Sequence, residues 1–137
     1  MAHTPFKVEV LTPEGEVFSG EVEMLSTRTA VGSIGVLAGH VPMLAMLDPT
    51  ELRLYQAEDD VIRYAQGEGY MQVAPSGTLV LVDEVFDASE LDAADLRDRL
   101  SRAEQTLETA EEDSEEARQA DRECRRYRAF LRIVEGG

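Results

Sequence analysis

Cysteine is almost missing from this sequence: Cys124 stands alone, and a lone thiol cannot close an intramolecular disulfide. The two histidines, His3 and His40, lie far apart with no second ligand at metal spacing, so no metal site is expected. Tryptophan is absent and aromatic residues make up 6% of the chain, which leaves few large anchors for a broad binding pocket. Cations are scarce too. With 13 Lys and Arg against 28 Asp and Glu the formal net charge is -15, and nucleic acid is excluded as a partner because phosphate binding needs clustered cations. No long hydrophobic run occurs either: the most apolar stretch, residues 36–47, is interrupted by Gly39, His40 and Pro42. No charged-then-apolar leader opens the chain, so a cytoplasmic protein or a peripheral component of a membrane complex is expected.

Catalytic signatures are also lacking. There is no G-x-x-x-x-G-K-[ST] loop, no G-x-S-x-G elbow and no H-E-x-x-H pair, and Gly67-Glu68-Gly69 is too short to cradle phosphates. Asp83 and Glu84 are adjacent acids, but neighbours on a strand point to opposite faces, which argues against a shared acid–base task. No catalytic residue is expected.

At 137 residues the chain allows one ordinary domain, or a small domain with an appendage. Its two parts have different periods. From Phe6 to Phe86 apolar residues alternate, as in Phe6, Val8, Val10, then Leu52, Leu54, then Ile62, Tyr64. Turn chemistry separates these runs at Pro13-Glu14-Gly15, Glu58-Asp59-Asp60 and Pro75-Ser76-Gly77. Short strands joined in this way predict an all-β sandwich, with the continuously apolar stretch 78–82 as a central strand covered on both faces.

After Asp87 neither Gly nor Pro occurs until the terminal Gly136 and Gly137, and Ala, Leu, Glu and Arg dominate. Ser89-Glu90-Leu91-Asp92 reads as a capping box that starts a helix near Ser89 or Glu90. Leu96, Leu100, Ala103, Leu107 and Ala110 form one apolar stripe; Ala117, Ala120, Cys124, Tyr127, Leu131 and Val134 form a second. Between them the acidic run 111–116 disfavours one rigid helix, and Asp113 or Ser114 is placed to cap a second. An antiparallel hairpin is therefore predicted, with a seam of small residues that opens at modest cost; an unbroken helix reaching about 70 Å is the other conformation open to it.

One segment carries more specific information: Gly32-Ser33-Ile34-Gly35-Val36-Leu37-Ala38-Gly39-His40-Val41-Pro42-Met43-Leu44, followed by Leu47 and Pro49. It resembles the G-x-x-G-I-x-P-G-H-x-P-L-L signature in the epsilon subunits of bacterial F-type ATP synthases. Pro13-Glu14-Gly15, Phe18-Ser19-Gly20-Glu21-Val22, Tyr64 with Gly67 and Gly69, Val82-Asp83 and Leu91-Asp92 extend the resemblance in order along the chain. Ala38 and Thr50 stand where the family commonly has Pro and Gly, which puts the local turn geometry in question.

The resemblance implies a ten-stranded β-sandwich over residues 1–87 that binds the rotor and a regulatory two-helix domain over 88–137. It implies a non-catalytic central-stalk subunit without a cofactor, peripheral on the cytoplasmic face of the bacterial plasma membrane and reaching the membrane only through its complex. The β domain would grip the gamma subunit and rest on the c-ring, transmitting torque from proton or sodium flow. The helices would fold down on it or extend toward the catalytic alpha and beta subunits to oppose hydrolysis. By the same resemblance the loop with Val31, Gly32, Ser33, Ile34 and Gly35 meets the c-ring. His40 and Met43 face the gamma subunit, although a loop-locking hydrogen bond is the simpler reading of His40.

Arg118, Arg122, Arg125, Arg126 and Arg132 form a basic array suited to an acidic partner, for which the resemblance supplies an acidic segment of the beta subunits. The plainer alternative pairs these arginines with acids of the first helix. An ATP-binding motif of some members, [IL]-D-x-x-R-A, is degenerate here, reading Leu91, Asp92, Ala93, Ala94, Asp95, Leu96. A carboxylate at the place of the Arg repels phosphate by up to a few kcal/mol, so weak or absent ATP binding is expected unless Arg99 or Arg102 compensates. The runner-up functional reading is a free-standing nucleotide or small-ligand sensor with a β-sandwich pocket and a helical lid; a third is an acidic adaptor with a coiled-coil arm.

Overall fold

A computed structural model describes residues 3–136. Its strands are β1 (Phe6–Thr12), β2 (Gly15–Val22), β3 (Met24–Thr29), β4 (Gly32–Val36), β5 (Met43–Leu47), β6 (Thr50–Ala57), β7 (Asp60–Gln66), β8 (Gly69–Ala74), β9 (Gly77–Val82) and β10 (Val85–Asp87). A 3-10 turn at Ala88–Glu90 then leads to the helices α1 (Ala93–Thr109) and α2 (Glu115–Glu135). A β-sandwich followed by a helical hairpin is what the change of period predicts, and ten strands is the number that the resemblance implies.

All ten strands belong to one hydrogen-bonded sheet, in the order β10-β7-β6-β3-β5-β8-β9-β1-β2, with β4 attached to β3. The sheet turns a corner at β3, which pairs along Met24–Ser26 with β6 but meets β5 only where Thr29 opposes Leu47. Folding there brings two layers face to face. Between them lie Val8, Val10, Leu25, Leu52, Leu54, Met71 and Val80, each with no solvent exposure. Each such side chain contributes about 1.5–3 kcal/mol, so this interior supplies most of the stability of the body.

One expectation about the sheet needs correcting. Strand β9 is central, between β8 and β1, but it is covered on one face only: Thr78, Val80 and Val82 are buried while Leu81 is exposed. The helices lie against the other layer, where α2 meets β6 and a second apolar cluster joins Ala65 to Leu96, Ala129, Phe130 and Leu131.

The helix start also differs from the expectation. Ser89 is not a cap; its hydroxyl donates to Asp87 Oδ1 at 2.6 Å, and α1 starts four residues later, capped by Asp92, whose Oδ1 accepts from the Ala94 amide at 2.9 Å. Two carboxylates flank the serine, and a charged acceptor outcompetes a hydroxyl for the amides of a helix start. The hairpin itself turns in the acidic run, with Asp113 at φ 62° and Ser114 accepting from the Ala117 amide at 3.1 Å. Asp113 is the single non-glycine residue at positive φ among the described residues, so Thr50 begins β6 without strain.

Candidate functional site

Two surfaces of the molecule carry features that the fold does not require. The first is the outer face of the layer β5-β8-β9-β1. Register places Met46 opposite Tyr70, Tyr70 opposite Leu81 and Leu81 opposite Leu11, so one apolar row crosses four strands on the solvent side. Leu44 (71% exposed), Met46 (61%), Tyr70 (51%) and Leu81 (45%) are open to water there. The β3–β4 hairpin continues this surface: the Ala30 amide donates to Met46 O at 3.0 Å, and the adjoining tip residue Val31 is 98% exposed. A contiguous exposed apolar patch of this kind is characteristic of a protein–protein contact.

Of the residues expected at the c-ring, only Val31 lies in the turn; Gly32, Ser33, Ile34 and Gly35 belong to strand β4, and Ile34 packs against the core. The segment is thus the tip and one edge of a hairpin rather than a loop. His40 locks its own turn, its amide donating to Leu37 O at 3.1 Å and Nδ1 donating to Val41 O at 2.8 Å. Met43 turns toward the core, while its neighbours Leu44 and Met46 face outward. Those outward residues, with Tyr70 and Leu81, are not legible from the chain alone. In Met43-Leu44-Ala45-Met46-Leu47 both faces of the strand are apolar, so alternation has no phase to read.

The second surface is where the hairpin docks. The Phe130 ring meets Phe86 edge-on at 6.1 Å between centroids. Arg126 Nη1 donates to Glu84 Oε1 at 2.6 Å, and its Nη2 donates to Asp83. The adjacent acids that a strand would have split therefore converge on one guanidinium, because β9 ends at Val82 and both sit in the connection to β10. That connection is held by backbone: the Gly67 amide donates to Glu84 O at 2.9 Å and the Asp83 amide to Glu68 O at 3.0 Å. A Cβ on Gly69 would lie 1.9 Å from Leu81 O, which is why the chain is bare at that point.

The basic array does not form one face. Arg118 and Arg122 both turn to Glu115 on their own helix, and this holds the Glu115 carboxyl below the ordinary carboxylate range. Arg125 reaches Asp48 on the body at 3.2 Å, and Arg126 the pair just described. Between the two helices the ion pairs are Arg128 with Glu104 at 3.1 Å and Arg97 with Glu135 at 2.9 Å, so acids of the first helix take only a minor part. Arg132 lies apart from the others, over β6 and β7.

The degenerate motif residues Leu91, Asp92, Asp95 and Leu96 do come together, in a cleft of about 350 Å³ between the hairpin and the body. Arg99, Arg122 and Arg126 line it, but Glu84, Glu90, Asp92, Asp95 and Glu123 do too. Asp95 takes Arg99 at 2.8 Å, Arg126 is held by Asp83 and Glu84, and the Asp92 carboxylate caps α1. Among the described residues no group of three potential ligands is placed to hold a metal ion, and no helix is long and apolar enough to cross a membrane.

Comparison with known proteins defines the class from the body outward: residues 5–88 match the family model described as ATP synthase, Delta/Epsilon chain, beta-sandwich domain. An ATP synthase epsilon chain of Persephonella marina is 39% identical over 103 residues, spanning 75% of this chain and 76% of that protein. One from Sulfurihydrogenibium is 31% identical over 129 residues, covering 94% of this chain and 96% of its own length, so the similarity runs through the helices. The chain belongs to the ATP synthase epsilon chain family. Solved structures share the fold at low identity: a chain of the Euglena gracilis mitochondrial ATP synthase (OSCP/F1/c-ring) superposes with a TM-score of 0.84 at 18% identity, covering 98% of this chain and 84% of that one. A chain of the Tetrahymena thermophila central stalk/c-ring structure gives 0.61 at 16% identity, with 99% and 98% covered.

Proposed function

We propose that this protein is a non-catalytic rotor subunit in the central stalk of a bacterial F-type ATP synthase. Residues 1–87 bind the gamma subunit and rest on the c-ring, and residues 88–137 form an arm that restrains ATP hydrolysis. The observation that carries this reading is the apolar row Met46–Tyr70–Leu81–Leu11 with Leu44 and Val31 beside it, since a free-standing acidic protein has no use for such a face. The family relatives are epsilon chains, and the structures that share the fold are of ATP synthase central stalk and c-ring assemblies. In this assignment the sheet face, through Leu44 and Met46 with His40 nearby, takes the gamma subunit, and the β3–β4 tip from Val31 to Gly35 takes the c-ring.

The arm's mechanism follows from its ion pairs. Arg125 and Arg126 are the cations that hold the closed arm to Asp48, Asp83 and Glu84, and they are also cations that an extended arm would offer to an acidic segment of a catalytic beta subunit. One set of partners must be released before the other is taken. Exposed pairs contribute only about 0–1 kcal/mol each, so the exchange is easy for Arg118, Arg122 and Arg125 and harder for the half-buried Arg126. The cleft beside the arm binds ATP weakly or not at all, because its carboxylates outnumber its arginines and already engage Arg99 and Arg126.

The test is a reconstitution with purified gamma subunit and catalytic head. Leu44→Glu together with Met46→Glu is expected to abolish capture by gamma while the circular dichroism spectrum is kept; full capture would exclude this face as the contact. Deleting residues 89–137 is expected to leave capture intact and to raise hydrolysis by the complex; unchanged hydrolysis would remove the restraining role.

A further inference from the structure

Where the last turn of α2 crosses β6 and β7, four arginines surround a hollow of about 240 Å³: Arg28 from β3, Arg53 from β6, Arg63 from β7 and Arg132 from α2. We propose that this hollow is a binding site for a small oxyanion of the phosphate class, which ties the arm to the body.

The charge pattern is unusual for this chain. Acids exceed cations 28 to 13 overall, yet among the described residues the hollow is lined by four guanidinium groups and a single carboxylate, Glu51. The sheet register sets Arg53 directly opposite Arg63 across the β6–β7 ladder, a like-charge pairing that destabilises a sheet unless an anion offsets it. Glu51 offsets part of it, with Oε2 accepting from Arg63 Nε at 2.8 Å and Oε1 taken by Arg53. Among the described residues one carboxylate is shared by two arginines, and three positive charges remain in excess.

The acids nearest by position do not supply the balance. Asp48 is turned to Arg125 at 3.2 Å, and Glu135, in the same turn of the helix as Arg132, is turned to Arg97 at 2.9 Å. Arginine carries five donors in a planar fork, so four of them present far more N–H groups than the oxygens of Glu51 can accept, and a tetrahedral oxyanion is the ligand whose several oxygens match converging forks. The volume is below the usual range for a site that buries a whole drug-sized or nucleoside ligand, which favours the free anion.

Three of the four arginines stand on the body and one on the arm, so an anion held by all four exists only when the arm is down. By linkage, phosphate then favours the closed form over the extended one. Anion binding itself needs nothing from the rotor reading; its regulatory meaning rests on that reading.

The experiment titrates the full-length protein with inorganic phosphate by calorimetry at constant ionic strength set with chloride. Saturable binding with one site is expected, weakened about tenfold or more, roughly 1.4 kcal/mol, by Arg28→Gln and by Arg132→Gln, and left alone by Arg102→Gln on the far helix. Hydrogen exchange over residues 129–135 is expected to slow in phosphate for the wild-type chain and not for Arg132→Gln. Because the substituted side chains are exposed, each variant is expected to retain the wild-type circular dichroism spectrum. A parallel titration with ADP separates the sources: competition with phosphate that is lost in Arg28→Gln identifies a nucleotide's phosphoryl tail as the ligand, and its absence identifies the free anion. No saturable phosphate binding, or binding equal in wild type and both site variants, overturns the site. Weakening by Arg28→Gln but not by Arg132→Gln overturns the bridge between arm and body.

Discussion

At the scale of single residues, the arm depends on a few polar contacts at its ends. Ser114 caps α2 through the Ala117 amide, and Ser114→Ala is expected to lower stability by about 1 kcal/mol, seen as a lower urea midpoint with unchanged slope. Cys124 is fully buried in the arm, and burial pushes its thiol above the ordinary range. The sign follows directly: what the neutral buried thiol contributes is intact below the ordinary thiol range and is lost as pH rises toward the raised value. Alkylation of Cys124 by iodoacetamide is therefore expected to be much slower than for an unfolded control at neutral pH, and to accelerate in variants that open the arm. A rate equal to the unfolded control would show that the seam is not closed in solution.

At the scale of elements, the anchor of the arm is Phe130 rather than the seam between the helices. The stripe from Ala117 to Val134 correctly marks the side of α2 that meets α1, where Ala120, Cys124 and Leu131 are buried. It omits Ala129 and Phe130, because α2 packs against two partners and buries a wider arc than a single 3.6-residue stripe describes. Phe130→Ala is expected to cost about 3–5 kcal/mol and to undock the arm, read out as faster hydrogen exchange along α2 with β1, β8 and β9 unchanged. Strand existence, the two periods and the hairpin turn were legible because alternation, turn residues and acidic repulsion are local signals. The docking acids Asp48, Asp83 and Glu84, the outward row on β5, β8 and β9, and the arginine hollow were not. Each is assembled from residues far apart in the chain, and register decides which side of a doubly apolar strand faces water. The segment that the resemblance assigns to the c-ring was expected as a loop, and the structure shows most of it, Gly32–Val36, as an edge strand.

At the scale of the whole molecule, a body with a buried core carries an arm fastened by a small apolar cluster around Phe130, the half-buried Arg126 and one exposed ion pair, Arg125 with Asp48. Removing the arm is therefore expected to leave the body's own unfolding transition cooperative, with the loss confined to helical signal in circular dichroism. The body has a different constraint. Strand β1 lies parallel to β9, with Val8 beside Thr78, whereas every contact between α1 and α2 is made across a short turn. A newly made chain must hold its first strand without a neighbour on that side until nearly the whole body has left the ribosome. The distant closure of β1 on β9 is expected to limit the folding rate, so stopped-flow refolding is expected to give the same slow phase with or without residues 89–137.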